Sequence, residues 1–311
     1  MIKSKKIFIT GGAGYLGSNI VDRLYKNNDI TIFSRDEAKH YFLKKKYPNI
    51  NCIIGDVRNL KLLDKSSKNH DIGIFAASLK QIGAVDSNVS ESNKIIIQGA
   101  LNSREISENN LESACFISSD KSRSATTIYG AMKFVAGESF IVNSDKIDGP
   151  NLSTAIYGNV VNSTGSIIPL IWDAIKNDYE LTLYSEEMTR FILLIEQAVN
   201  LIEFALTKNG YNVIPKPSSI KIKDLFDIYK DKFSLKYRVG VPRISEKIHE
   251  ILISEEESTR VTTEGDYYLM HYEKISEKNI LGNKELSSKN CSISKGSLNK
   301  LLEKYNYYKP I

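Results

Sequence analysis

Five residues with a taste for extended chain, Lys6–Thr10 (KIFIT), run straight into Gly11-Gly12-Ala13-Gly14-Tyr15-Leu16-Gly17. An amphipathic stretch from Tyr15 to about Lys26 follows. A G-x-G-x-x-G spacing between a strand and a helix constrains this chain more than any other feature. Its glycines permit a tight turn, close backbone approach to a pyrophosphate and close packing of helix on strand. The helix start adds free N–H groups and a partial positive charge. Gly11, Gly14, Tyr15, Leu16 and Gly17 are therefore expected to hold a dinucleotide.

Beyond the turn, strand and helix patterns alternate. Ile30–Phe33, Asn51–Ile54, Asp71–Ala77 and Ala114–Ser118 read as strands, separated by helical stretches at Asp36–Lys46, Leu60–Lys68 and roughly Asn88–Glu108. That order predicts an α/β fold with a doubly wound parallel sheet. After Gly149-Pro150 the pattern loosens: Leu152–Tyr157 reads as a sixth strand, Phe191–Leu206 as a helix and Tyr211–Ile214 as a last strand. No Pro/Gly/Ser-rich linker divides the chain. The expected organisation is a dinucleotide domain over 1–165, rejoined by 189–215, with an interleaved α+β lobe over most of 166–311.

With 42 Lys+Arg against 37 Asp+Glu, the balance is too mixed for a nucleic-acid binder. Cys52, Cys115 and Cys291 lack C-x-x-C spacing, which speaks against a disulfide framework or structural zinc and suits a reducing cytoplasm. The N-terminal apolar stretch is too short for a signal core, and no apolar run approaches the ~20 residues of a membrane span. His40, His70, His249 and His271 have no ligand spacing, so no metal is expected.

Two places carry chemistry. At the end of the second strand stand Ser34 and Arg35. An acid there usually binds the ribose 2′-hydroxyl of NAD, whereas arginine accommodates a 2′-phosphate, so the pair favours NADP. Asp36 reads equally as a helix cap. Asp56 and Val57, after the third strand, are candidates to border the adenine.

Tyr129-Gly130-Ala131-Met132-Lys133 is Y-x-x-x-K on a helix, with both side chains on one face. An ammonium beside a phenol lowers its pKa, so Lys133 is expected to tune Tyr129 toward accepting a hydroxyl proton. After a dinucleotide turn and a fifth strand, this signals the short-chain dehydrogenase/reductase superfamily. Just before it, Ser118-Ser119-Asp120-Lys121 sets an acid beside an amine. Hydride transfer needs neither. Elimination needs both: one group removes a carbon-bound proton while the other protonates the leaving hydroxyl.

The runs SRDEAK (34–39), GDVRNL (55–60), AASLKQ (76–81), SSDK…YGAMK (118–133), YGNVVNSTGS (157–166), MTRF (188–191) and SEKIHE (245–250) resemble the inverting UDP-N-acetylglucosamine 4,6-dehydratases (5-epimerising), extended members of that superfamily. The resemblance implies Asp120 as general acid, Lys121 as C5 base, and Tyr129 with Lys133 at the 4-hydroxyl. It implies Ala76, Ala77, Ser118, Tyr129 and Lys133 against the cofactor, and Lys80, Ser119 and Asn159 against the sugar. Arg190, Arg243 and Glu246 would lie at the nucleotide end. The chain departs from the family pattern at Ile95-Ile96, Ser124-Ala125, Ile156, Thr164 and Ile244-Ser245. Related enzymes pair through helices flanking the sheet, so a dimer or larger is expected.

Overall fold

The computed structural model describes residues 2–309. Short β-branched runs make the strands, and amphipathic segments between them make the helices. The first half runs β1 (Lys6–Thr10), α1 (Tyr15–Leu24), β2 (Asp29–Ser34), α2 (Glu37–Lys46), β3 (Asn51–Ile54), α3 (Leu60–Ser67) and β4 (Ile72–Phe75). It continues through α4 (Ile82–Ser87), α5 (Val89–Asn93), α6 (Gly99–Asn110), β5 (Ser113–Ile117), α7 (Ile128–Ile141) and β6 (Asn151–Ala155). Then come β7 (Asn159–Val160), α8 (Ile167–Asn177), β8 (Leu181–Leu183), β9 (Thr189–Leu193), α9 (Ile195–Ala205), β10 (Tyr211–Pro215), β11 (Ser218–Lys221) and α10 (Ile222–Phe233). Last are β12 (Tyr237–Val239), β13 (Ile251–Ile253), β14 (Val261–Glu264), β15 (Tyr267–His271), β16 (Leu286–Ser287) and α11 (Lys295–Lys304).

The main sheet has nine strands in the order β14-β15-β10-β6-β5-β4-β1-β2-β3. From β3 to β10 every pairing is parallel. A sheet covered on both faces needs apolar side chains on both, and Ile7, Phe8 and Ile9 of β1 are all fully buried. On one face Ile20, Val21 and Leu24 of α1 pack with Val199 and Ile202 of α9. On the other, Leu63, Ile106, Met132 and Phe140 come from α3, α6 and α7. Phe140 lies 5.5 Å from the ring of Phe116 and 5.7 Å from that of Phe75, locking α7 to the sheet centre. Burying each such side chain contributes about 1.5–3 kcal/mol.

A further core lies beside the sheet. A three-stranded sheet, β11-β9-β7, packs with α8, α10 and α11 around Ile171, Phe226 and Tyr229.

Three features differ from the sequence reading. The helix expected from Phe191 begins at Ile195, and Thr189–Leu193 is instead strand β9, paired with β11 and β7. Strand and helix meet at Leu194 with no glycine or proline between them, so their apolar residues merge into one run. Second, the strand expected at Tyr211–Ile214 is not the last. Strands β15 and β14, from inside the stretch expected to be lobe, extend the sheet in antiparallel register. Third, the long helical stretch is three pieces, α5 and α6 joined by a π-turn at Lys94–Gln98.

Candidate active site

The turn after β1 is built as its glycines require. Gly11 adopts φ +70°, its N–H donates to the Phe33 carbonyl at 2.9 Å, and a Cβ there would stand 2.8 Å from the Ala77 nitrogen. On Gly17 a Cβ would come within 2.5 Å of the Gly11 carbonyl oxygen. No side chain caps the start of α1, so its first N–H groups stay free. They open on a cleft of about 970 Å³ whose walls include Gly11, Gly14, Tyr15, Leu16, Gly17, Ser34, Arg35, Asp56, Val57, Ala76 and Ala77.

At the end of β2 the Ser34 hydroxyl is 2.6 Å from His40 Nε2. The Asp36 carboxylate accepts from the Lys39 N–H at 3.0 Å and caps α2, which takes it out of ribose binding. Asp56 is tied to Arg58 at 2.7 Å, while the exposed Arg35 guanidinium is only loosely engaged, 3.8 Å from Asp56. An exposed, loosely held guanidinium beside a serine hydroxyl suits a phosphate. Together with the uncapped helix and the glycine cradle, these residues fit a nicotinamide dinucleotide.

Ser118, Ser119, Asp120, Lys121, Tyr129, Lys133, Lys80 and Asn159 line the same cleft. Past β5, Ser119 caps a 3₁₀ turn at Asp120–Ser122. Thr127 Oγ1 accepts from the Gly130 N–H at 3.1 Å to start α7, and a Cβ on Gly130 would overlap the Lys121 carbonyl. That contact seats the first turn of α7, with Tyr129, against the Asp120–Lys121 turn. Lys121 Nζ donates to Asp120 Oδ1 at 2.9 Å, and the Ser119 hydroxyl donates to the same oxygen at 3.0 Å. Ser118 Oγ, Asp120 Oδ2 and Asn159 Oδ1 are buried without a protein partner. Unpaired buried polar atoms are costly, so three of them on one cleft mark a place for a polar ligand.

Burial raises the Asp120 carboxyl above the usual carboxylate range, against the pull of Lys121. Burial acts first on Lys121 too, drawing it down, but Asp120 and Glu250 outweigh it and leave the amine above its ordinary value. Lys133 has a backbone partner of its own. Its amine donates to the Ile117 carbonyl at 3.3 Å and lies over the Phe116 ring, and burial lowers it to about 8. Tyr129 is pushed up to about 12 by burial, and the ammonium opposing that rise is Lys121.

Lys80 donates to the Thr164 carbonyl. Arg190, Arg243 and Glu246 form one cluster, outside the cleft lining: Arg190 meets Glu246 at 2.6 Å and Arg243 meets it at 3.4 Å, over the Tyr184 ring. Sequence reasoning missed the link between this cluster and the reacting groups. Glu250 Oε1 lies 3.7 Å from Arg190 Nε and 3.2 Å from Lys121 Nζ. The run SEKIHE ends on it, but nothing in its spacing points to Asp120, 130 positions earlier.

Residues 7–272 match a family described as polysaccharide biosynthesis protein. An inverting UDP-N-acetylglucosamine 4,6-dehydratase of Campylobacter jejuni is 34% identical over 86% of this chain and 83% of its own length. A UDP-glucose 4-epimerase of Rickettsia massiliae is 32% identical with the same coverage, 86% and 83%. The X-ray structure of Pen from Bacillus thuringiensis superposes with a TM-score of 0.90 at 26% identity, over 98% of this chain and 99% of that one.

Proposed function

Because this chain belongs to the polysaccharide biosynthesis protein family, we propose that it is a cytoplasmic nucleotide-sugar 4,6-dehydratase that acts on UDP-N-acetylglucosamine, uses NADP and inverts C5. One observation carries the reading: a buried acid, Asp120, and a half-buried amine, Lys121, in contact at 2.9 Å on the wall of a dinucleotide cleft. Strands β1–β6 carry the NADP side; Lys80, Ser119 and Asn159 from the same domain, with Arg190, Arg243 and Glu246 further along the chain, bind the sugar nucleotide. No helix among the described residues is long and apolar enough to cross a membrane. Apolar side chains exposed on α6 and α7, among them Leu101, Phe134 and Val135, support pairing of two copies through these helices.

Held by Gly11, Gly14, Gly17, Ser34 and Arg35, an NADP would supply reversible hydride storage, so that C4 can be oxidised and C6 reduced without an outside reductant. The side chains manage the protons. Tyr129, with Lys133 behind it, holds the proton of the 4-hydroxyl. Once C4 is a ketone, the C5–H is acidic and Lys121 removes it. Asp120, whose carboxyl burial shifts upward, gives a proton to the departing 6-hydroxyl as water leaves. Lys121 must be neutral to act, yet its neighbours favour the ammonium. The turnover rate is therefore expected to fall as pH is lowered through the alkaline range, as a pH profile of kcat would record.

Mass spectrometry of a UDP-N-acetylglucosamine incubation tests the reaction. Loss of one water without added reductant is expected. Unchanged mass would favour the 4-epimerase reading that the Rickettsia relative supports, and consumption of NADPH would favour a 4-ketoreductase. Turnover of no nucleotide sugar at all would leave a cofactor-binding protein of the same fold.

Inversion rests on Tyr129, a second proton-handling group beside Lys121. A reaction in D2O is expected to give deuterium at C5 in the L-arabino product, read from ring couplings by NMR. Deuterium at C5 in a D-xylo product would refute inversion and leave dehydration standing.

For the cofactor, Arg35→Ala is expected to weaken NADP roughly tenfold to hundredfold and NAD far less, the scale of one charge-assisted contact of ~1.5–3 kcal/mol. Titrations of both cofactors check this; equal losses would remove Arg35 from 2′-phosphate recognition.

A further inference from the structure

Glu250 stands just before β13 and is buried, 4% exposed. Ser288 grips its backbone from both sides: the Glu250 N–H donates to Ser288 Oγ at 2.8 Å, and the Ser288 N–H donates to the Glu250 carbonyl at 2.8 Å. The Ser288 hydroxyl is itself 2.7 Å from Thr189 Oγ1. A carboxylate from the C-terminal part of the chain is thus delivered to the reacting amine with little freedom.

Lys121 Nζ therefore meets two carboxylates, Asp120 at 2.9 Å and Glu250 at 3.2 Å. Only Asp120 lines the cleft. The charged groups facing Glu250 are Lys121, Arg190 at 3.7 Å and Lys247, whose amine is 3.9 Å from Oε2 and donates to the Arg123 carbonyl at 2.6 Å. Tyr129 and Asp120 complete the surroundings of the amine. Three cations around one carboxylate hold it ionised, even though burial opposes this. Asp120, with one cation and deeper burial, is pushed the other way. Two carboxylates whose surroundings drive them apart take different roles.

Building on the dehydratase reading, we propose that Glu250 is a positioning residue that holds the Lys121 amine and supplies its counter-charge, leaving Asp120 free to keep the proton it gives to the departing hydroxyl. Glu250 does not line the cleft. It acts through Lys121, and through it the Arg190–Glu246 cluster is coupled electrostatically to the reacting centre.

Competitive acetylation of Lys121 in the cofactor-free protein, followed across pH by mass spectrometry, tests this without any turnover. In Glu250→Gln the Lys121 midpoint is expected to fall by about one pH unit, a tenfold loss of proton affinity. The acid limb of the kcat profile should move the same way, with NADPH affinity unchanged. Two milder variants guard against a Glu250→Gln chain that does not fold. Glu250→Asp, whose carboxylate stands farther off, should lower the midpoint, and Arg190→Gln, which removes a cation, should raise it. An unmoved midpoint in folded Glu250→Gln, or no opposed movement in the milder pair, overturns the proposal. Opposed midpoints in a protein that dehydrates no sugar would uphold the positioning role and sink the dehydratase reading instead.

Discussion

Lys121→Met is expected to slow dehydration of UDP-N-acetylglucosamine by about 10³-fold, within the range that a positioned proton-transfer group contributes. Methionine keeps the length and the apolar stem of lysine and removes only the amine. NADPH affinity should hardly change, because the glycine turn and the Ser34–Arg35 corner lie on other elements. Stability will suffer, since Glu250 loses the nearest of its three cations and keeps only Arg190 and Lys247. Exchange at C5 separates the two effects. Folded Lys121→Met that still binds NADPH should no longer wash deuterium from D2O into C5. Asp120→Asn, which keeps the shape but cannot act as an acid, should lose a comparable factor in water elimination. If Lys121→Met kept a tenth of the wild-type rate, Lys121 would not be the base.

Gly17→Ala should damage the protein at its other end. The new Cβ would meet the Gly11 oxygen and the Gly12 Cα, each at 2.5 Å. Both are backbone atoms of the turn, so neither can swing aside as a side chain would. Either α1 lifts from β1 or the turn opens, and in both cases the free N–H groups lose their aim. A cost of about 2–4 kcal/mol is expected, typical of overpacking against rigid surroundings. Thermal unfolding would show it, with NADPH binding falling at least about hundredfold. Gly83→Ala is the control, because nothing lies within 4 Å of its Cβ position. Equal behaviour of the two variants would mean that the turn tolerates a side chain and that its glycines are not what shapes the cleft.

The parallel sheet and the glycine turn were legible because their signals are local. A β-branched run, three spaced glycines and an amphipathic helix lie within 20 residues, and backbone sterics leave them one arrangement. Tyr129 and Lys133 were legible for the same reason, since i and i+4 share a helix face. Their electrostatics were not. Which ammonium influences the phenol depends on where each amine ends up, and Lys133 turns to the Ile117 carbonyl while Lys121 comes to Tyr129 from another turn. Glu250 is the extreme case: its approach to Lys121 is created by the lobe folding back, over a separation that no spacing rule spans. Strand β9 was hidden by continuity with α9, and β14 and β15 by their position inside a stretch with weak alternation.

Strand β15 has a consequence in time. It closes the sheet by lying antiparallel on β10, with Tyr211 opposite His271 and Pro215 opposite Tyr267. During synthesis β10 leaves the ribosome first, and at about 5–20 residues per second its partner follows only seconds later. For that interval β10 is an open edge with its hydrogen-bonding groups unclaimed. A chain interrupted between the two strands would keep that edge for good, ready to pair with any other nascent copy on the same messenger.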